Sequence, residues 1–389
     1  MAKPKHLGVK KYMIVYDVPP RNGKARQQKR EILRGVTKHE AESFLAKRIE
    51  SVARGEYTAD ADMTMSDLFD KFMTHKAKRL EATTIDRYKG ILATYLRPTF
   101  GKMRLTALRK AHLIEAYEKW QAEKQTRRSG RTIRHVHDLL RATLNWAVSL
   151  DYVQTNVAGK ITSEDLPKAF KPESTVLNEN ELRYLLAEAQ SPTFLAKKCG
   201  TVSSLPWFYP ALVFAAYTGA RRGEVLATRW PDLDLDGGTV TIRESLAQPR
   251  SGLAFKRPKN GQVRTITITS QLVAVLRSHK ARQAAEQVYL GERYHRDDLV
   301  FAMPNGMPVS PEAFGAAFKR LVERAKVARI RLHDLRDTHA SLLAKAGVPI
   351  EVVSQRLGHS CIGVTVDRYV TVYRERDAAA AAAFARLVA

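Results

Sequence analysis

Four stretches in the later part of the chain hold residue types suited to moving a phosphoryl group. In TGARRGE, residues 218–224, Gly219 can turn the chain sharply, and Arg221 and Glu224 stand three apart on one helical face. An arginine held by a carboxylate in this way can fork onto a phosphate through two hydrogen bonds, although the same pair is also an ordinary helix contact. In LHDLRDTH, residues 332–339, His333 and Arg336 are again three apart. Both can address one phosphate, the guanidinium neutralising charge and the imidazole moving a proton. Leu335, Leu342 and Ala346 are expected to anchor that helix on another face. His333, His339 and Asp337 would suggest a metal site only with a further well-spaced ligand, which this stretch lacks.

The third stretch is QRLGHSCIGVTVDRYVTVY, residues 355–373. Ile350, Val353 and Leu357 pattern a helix that Gly358 ends, which leaves His359 at its terminus. Tyr369 follows ten residues later. A phenol with a pKa of about 10 is a poor nucleophile near neutrality, so it needs cations and an already polarised phosphorus beside it. Tyr373, one helical turn on, is the alternative nucleophile. The fourth stretch is a hairpin around Pro258-Lys259-Asn260-Gly261. Lys259 at its tip could protonate a leaving oxygen, with Lys256 close by as an alternative, although most turn lysines are simply solvated.

The segment that must position these residues, 176–389, mixes helical and strand periodicities. Asn178 with Glu181 forms a capping-box pattern, and Leu177 can staple onto Leu182. Leu212, Val213 and Phe214 lie in a helix apolar on nearly every side, hence buried, that runs into Thr218-Gly219. A strand meander is expected next, with Asp236-Gly237-Gly238 and Asn260-Gly261 as turns and Val240/Ile242 and Ile266/Ile268 alternating. Helices return after Ser310-Pro311. Asp377 can cap a last helix in which Phe384, Leu387 and Val388 share a face.

Upstream, residues 64–160 read as four helices. Thr64 and Asp67 cap the first, in which Met65, Leu68, Phe69, Phe72 and Met73 share a face. The others carry Ile85, Tyr88, Leu92 and Tyr95, then Leu113, Ala116, Tyr117 and Trp120, then Ile133, Val136, Leu140, Leu144 and Ala147. These stripes are core, while Lys and Arg crowd the remaining faces. Residues 160–175, with Pro167 and Pro172 among charges, suggest a linker. Residues 1–60 suggest short strands around a basic hairpin, then a helix after Thr37 with Ala41, Phe44, Leu45 and Ile49 on one face. They hold 14 Lys and Arg against 7 Asp and Glu. The fold class expected is α+β and multidomain: a small N-terminal β-sheet with a helix (1–60), a helical bundle (64–160), and a mostly helical domain with a small antiparallel sheet (176–389).

The 389 residues exceed one ordinary core, which agrees with two or three domains. Lys and Arg number 65 against 40 Asp and Glu, a formal net charge of +25, so the surface attracts polyanions such as DNA or RNA. No apolar stretch suits a membrane span, and MAKPKHLGVKK does not read as a secretory signal. The two cysteines, Cys199 and Cys361, are too few for a disulfide framework or a zinc cluster, which fits a reducing cytoplasm.

Arginine, then lysine in a hairpin, then His-x-x-Arg, histidine and tyrosine, in that order, resemble the active site of the tyrosine recombinase (phage integrase) family. The resemblance runs through residues 176–375 and is most specific in TGARRGE, HDLR, LGH and DRY. The upstream segments also fit it, because a core-binding bundle and a small arm-binding domain precede the catalytic domain in many such integrases. It implies a site-specific recombinase in which Arg221 and Arg336 clamp the scissile phosphate of double-stranded DNA attachment sites. His333 and His359 would assist, Lys259 would protonate the leaving 5′ oxygen, and Tyr369 would become 3′-phosphotyrosyl. Neither ATP, metal nor other cofactor is implied, in keeping with the lack of a Walker-type loop. Glu224 would orient its neighbours. The family often has histidine where Asp337 stands, so no role is carried over there.

The resemblance further implies homotetramers on DNA joined through the C-terminal tail, a DNA-bending protein of the host and a small directionality factor as partners, and a cytoplasmic, DNA-associated location. Two rivals remain. A type IB topoisomerase uses the same residue kinds, but the basic N-terminal segment and the oligomer-like tail speak against it. An architectural DNA-binding protein with a decayed site explains the charge equally well, yet gives no reason for five kinds of catalytic residue to stand in order.

Overall fold

The computed structural model describes residues 3–18, 27–53, 63–122, 129–169, 175–191, 205–258, 261–358 and 384–386. The chain divides into two units, Met1–Lys171 and Pro172–Ala389.

In the first unit, strands β1 (Lys5–Gly8), β2 (Lys11–Val18) and β3 (Gln27–Arg34) form an antiparallel sheet in that order. Alternation puts Ile14 and Tyr16 on one face, where they meet Leu45 of helix α1 (Lys38–Ala53). Thr37 and Glu40 cap α1 reciprocally, the Thr37 N–H donating to the Glu40 carboxylate (2.6 Å). The expected apolar face of α1 is corrected in part. Ala41 and Leu45 are buried, but Phe44 and Ile49 are exposed. Glu31 lies opposite Ile14 on the helix-facing side of the sheet, and the Tyr16 hydroxyl and Arg48 (3.4 Å) are its partners. Satisfying that carboxylate turns Arg48 toward the sheet and Ile49 away from it.

The helical part of this unit comprises α2 (Met65–Ala77), α3 (Ala82–Ile91), a wider π turn Leu92–Leu96, the short α4 (Arg97–Phe100), α5 (Lys110–Ala122) and α6 (Gly130–Ser149). Thr64 and Asp67 complete the capping box of α2. The stripes of α2, α5 and α6 merge into one core that includes Phe69, Phe72, Tyr117, Trp120, Leu140 and Leu144. Within it the Tyr117 hydroxyl and His137 Nδ1 satisfy each other at 2.9 Å. The suggested linker is fastened to the bundle as far as Pro167: Arg134 donates to the Pro167 carbonyl (3.0 Å) and Lys110 pairs with Asp165 (2.8 Å).

In the second unit, α7 (Glu179–Gln190) starts at the Asn178–Glu181 capping box, and Leu177 and Leu182 join one core. Helix α8 (Phe208–Thr218) is buried on nearly every side. It is followed by α9 (Arg222–Ala227), β4 (Leu233–Asp234), β5 (Thr239–Ile242), β6 (Ser245–Ala247), β7 (Ala254–Lys256) and β8 (Arg264–Thr267). The simple meander is corrected: β5 pairs directly with β8, Val240 opposite Ile266, while β6 and β7 form a separate hairpin. Pairing the two buried residues on one face sets that register. Helices α10 (Ser270–Leu290) and α11 (Pro311–Ala325) complete that core with Leu335 of α12 (Asp334–Lys345), while α12 and α13 (Ile350–Leu357) share a smaller cluster of Ala340, Val353 and Leu357. The anchoring face expected for α12 is also corrected. Leu335 is buried, but Leu342 is half-buried and Ala346 exposed, because the face that packs against Val353 and Leu357 of α13 carries Ala340 and Leu343. Of the expected last helix, only residues 384–386 are described, helical and with Phe384 exposed. Among the described residues no helix is long and apolar enough to cross a membrane.

Candidate active site

Helix α8 ends at Gly219, which takes the left-handed conformation (φ 65°). A Cβ there would lie 2.6 Å from Leu357 Cδ2 and 2.8 Å from His339 Cδ2, so only glycine lets α8, α12 and α13 approach this closely. The turn delivers Arg221 to the N-cap of α9, where its own N–H donates to Glu224 Oε2 (2.9 Å) and its Nη1 to Oε1 (2.9 Å). Arg264 Nη2 adds a 2.6 Å bond to the same carboxylate. Burial works against ionisation of Glu224, but the hydrogen bond and charge of Arg264, with Arg221, outweigh it and hold the carboxyl below its usual range. Glu224 is therefore an anionic clip that orients two arginines, the role expected for it.

His333 stands at the N-terminus of α12. Beside it Asp334 grips Arg331 through Nε (3.0 Å) and Nη2 (2.7 Å). One helical turn inward, Arg336 is only 3% exposed. Its Nη1 donates to the Gly219 carbonyl (2.8 Å) and its Nη2 to Leu357 (2.6 Å). Gly358 ends α13 with φ 65°, as the sequence suggests.

The last carbonyls of a helix lack intrahelical partners and carry partial negative charge. Here three arginines take them in succession: Arg264 Nε the carbonyl of Arg356 (3.0 Å), Arg336 Nη2 that of Leu357 (2.6 Å) and Arg221 Nη2 that of Gly358 (3.1 Å). Arg221 and Arg336, distant in sequence, thus converge immediately before His359. A cleft of about 1280 Å³ opens on this site, and Arg221, Arg222, Lys319, Arg329, Arg331 and His333 line it. Arg336, buried, is not among the residues that line it.

Of the residues singled out from sequence, the structure brings together Arg221, Arg336 and His333. Lys259, His359, Tyr369 and Tyr373 lie outside the described residues. Flanking Lys259, Gly261 N–H donates to the Pro258 carbonyl (2.8 Å), and Lys256 sits at the end of β7 opposite Ser245.

Sequence reasoning missed Arg264, His339 as a structural group, and Arg356. Arg264 left a legible sign, since it lies two residues before Ile266 on the inward face of a strand, where an arginine needs a buried anion. His339 donates from Nδ1 to the Ala216 carbonyl (2.9 Å), and its Nε2 accepts from Arg356 Nε (3.2 Å). Burial and the Arg356 charge push its pKa down to about 4. Both ring nitrogens are thus engaged and a cation faces one of them, which does not suit a metal ligand. Among the described residues no group of three His, Cys, Asp or Glu could hold a metal ion.

A guanidinium and an imidazole on a basic cleft, with a second guanidinium converging on the same helix end, suit an enzyme that breaks and rejoins a phosphodiester backbone. The family model described as phage integrase family matches residues 175–376, and that of the phage integrase N-terminal SAM-like domain matches residues 64–135. The first covers more than half of the chain, which therefore belongs to the phage integrase family, the tyrosine recombinases that break and rejoin DNA site-specifically.

A XerC-like tyrosine recombinase of Caldanaerobacter subterraneus subsp. tengcongensis is 26% identical over 355 residues, 87% of each chain. The integrase of Mycobacterium phage L5 is 24% identical over 340 residues, 86% of this chain and 82% of that one. The Tn1549 transposon integrase in complex with transposon right end DNA superposes with a TM-score of 0.66 at 18% identity, over 81% of this chain and 100% of that one. A lambda integrase tetramer bound to a Holliday junction gives 0.57 at 15% identity, over 92% and 93%. The two structures establish a shared fold.

Proposed function

We propose that this recombinase integrates and excises a mobile element by cutting attachment-site DNA with Tyr369. The Tyr369 oxygen attacks the scissile phosphorus, the P–O5′ bond breaks, and a 3′-phosphotyrosyl link forms. Lys259 gives a proton to the departing 5′ oxygen. Arg221 and Arg336 stabilise the negative charge on the phosphoryl oxygens, with His333 and His359 donating hydrogen bonds and relaying the tyrosine proton. The 5′-hydroxyl of the partner strand then attacks the phosphotyrosine, which restores the phosphodiester and frees Tyr369. Because the bond is conserved in the covalent intermediate, strand exchange needs no nucleotide hydrolysis.

The single observation that carries this reading is the convergence of Arg221 and Arg336 on the end of α13, beside a basic cleft that His333 also lines. A phosphate oxygen is a stronger acceptor for a guanidinium than a neutral carbonyl, so DNA in the cleft can compete for Arg221. Residues 1–60 would bind arm-type sites, residues 64–160 the core site, and residues 176–389 would carry the chemistry. The lambda relative's tetramer on a Holliday junction supports a homotetramer here. A host bending protein and a directionality factor would complete the assembly in the cytoplasm.

The test mixes two duplexes carrying the two attachment sites, with a host extract supplying any bending protein, and a supercoiled plasmid without sites. Recombinant joints with the plasmid left supercoiled are the expected result. Relaxation of the plasmid without joints would make the protein a topoisomerase instead.

A further inference from the structure

The side chain of Arg356 reaches three elements at once. Its Nε donates to His339 Nε2 on α12 (3.2 Å), its Nη1 to the Thr267 carbonyl at the end of β8 (3.0 Å) and its Nη2 to the Tyr217 carbonyl in α8 (3.0 Å). The acceptor on α12 has a determined form. A carbonyl can only accept, so the Ala216 oxygen requires hydrogen on His339 Nδ1, and Nε2 then carries the lone pair that Arg356 uses. The last turn of α13 is thus held twice: by the Arg356 side chain, and through the carbonyls of 356, 357 and 358 by Arg264, Arg336 and Arg221. His359 is the next residue.

We propose that Arg356, with His339 as its acceptor, is a positioning residue for DNA cleavage, fixing the point from which the segment bearing His359 and Tyr369 departs. The inference rests on the reading that this segment carries the chemistry. Arg356 acts through the backbone it anchors. A single ammonium at this position could not replace three divergent donors in a planar fork.

The test measures single-turnover cleavage of a nicked duplex carrying the attachment core at saturating protein, alongside affinity for the intact duplex and urea unfolding. The rate constant of the folded molecules distinguishes positioning from mere stability, which changes only how many molecules react. A displacement of about 1 Å at a reacting group costs about 100-fold, so Arg356→Met and His339→Leu should each slow cleavage by about that factor. Affinity for the duplex should change by less than about threefold, since no phosphate contact is lost. His339→Gln restores an acceptor for Arg356 and should recover about tenfold of the rate relative to His339→Leu. If Arg356→Met does not fold, Arg356→Lys carries the test, with a loss of about tenfold expected.

Unchanged rate constants in the folding variants of both Arg356 and His339 would overturn the proposal. So would weaker, less salt-dependent binding with full rate at saturation, which would make Arg356 a phosphate contact. Tyr369→Phe is run beside them. An adduct that survives in it would overturn the underlying nucleophile assignment, whatever the Arg356 variants do.

Discussion

Glu224 and Arg264, forty residues apart in sequence, meet inside the second unit with a 2.6 Å hydrogen bond between Oε2 and Nη2, and the carboxylate side chain has no exposed surface. The pair couples α9 to β8. Because Glu224 also holds Arg221 and Arg264 also holds the end of α13, it joins the candidate phosphate-binding arginine to the turn before His359. Removing the charge of one partner strands the other in a poorly solvated place. Glu224→Gln is expected to destabilise the protein by about 3 kcal/mol, measured by urea unfolding. A change below about 0.5 kcal/mol, the usual range for surface substitutions, would mean that the pair is well solvated.

Gly219→Ala tests the close approach of α8, α12 and α13. The added Cβ meets Leu357 and His339 well inside contact distance, and φ of 65° already disfavours a side chain. Conformational strain and overpacking together should cost about 3 kcal/mol, seen as a fall in thermal stability. Cleavage should fall with it, because Leu357 belongs to the turn that Arg336 ties down and His339 accepts from Arg356.

Acid should weaken the second unit in a defined window. Burial pushes His279 down to about 4, and burial with the Arg356 charge does the same to His339. Between the ordinary value of 6.5 and about 4, the unfolded chain binds protons that the folded chain refuses. Stability is therefore complete above pH 6.5 and is lost as pH falls toward 4, by at most about 3 kcal/mol for each histidine. Unfolding free energy followed against pH checks this. In His279→Gln the loss across that window should fall by about half.

Local parts of the candidate site could be read from residue order. Arg221 with Glu224 and Gly358 as a helix end stand where local spacing puts them, because caps and helix faces are short-range features; of His333 and Arg336, three apart, only His333 lines the cleft. The Thr64–Asp67 and Asn178–Glu181 boxes were legible for the same reason. What escaped was long-range or polar. Helix α10 buries Leu272, Leu276, His279 and Gln283, and the last two break the apolar stripe that would have announced it. Arg48 takes the inward position that Ile49 promised because Glu31, on another element, needs a partner. The fastening of α13 by Arg264 and Arg356 joins residues about ninety positions apart, through backbone carbonyls that no side-chain pattern reveals.

The most direct test of the central claim is covalent capture. Wild type, Tyr369→Phe and Tyr373→Phe are each incubated with a nicked duplex carrying the attachment core and separated under denaturing conditions. A protein–DNA adduct in wild type and Tyr373→Phe, absent in Tyr369→Phe and mapped by peptide mass to the residue linked to the 3′ phosphate, is the expected result. An adduct that persists in Tyr369→Phe, or none on a duplex that wild type demonstrably binds, would contradict it.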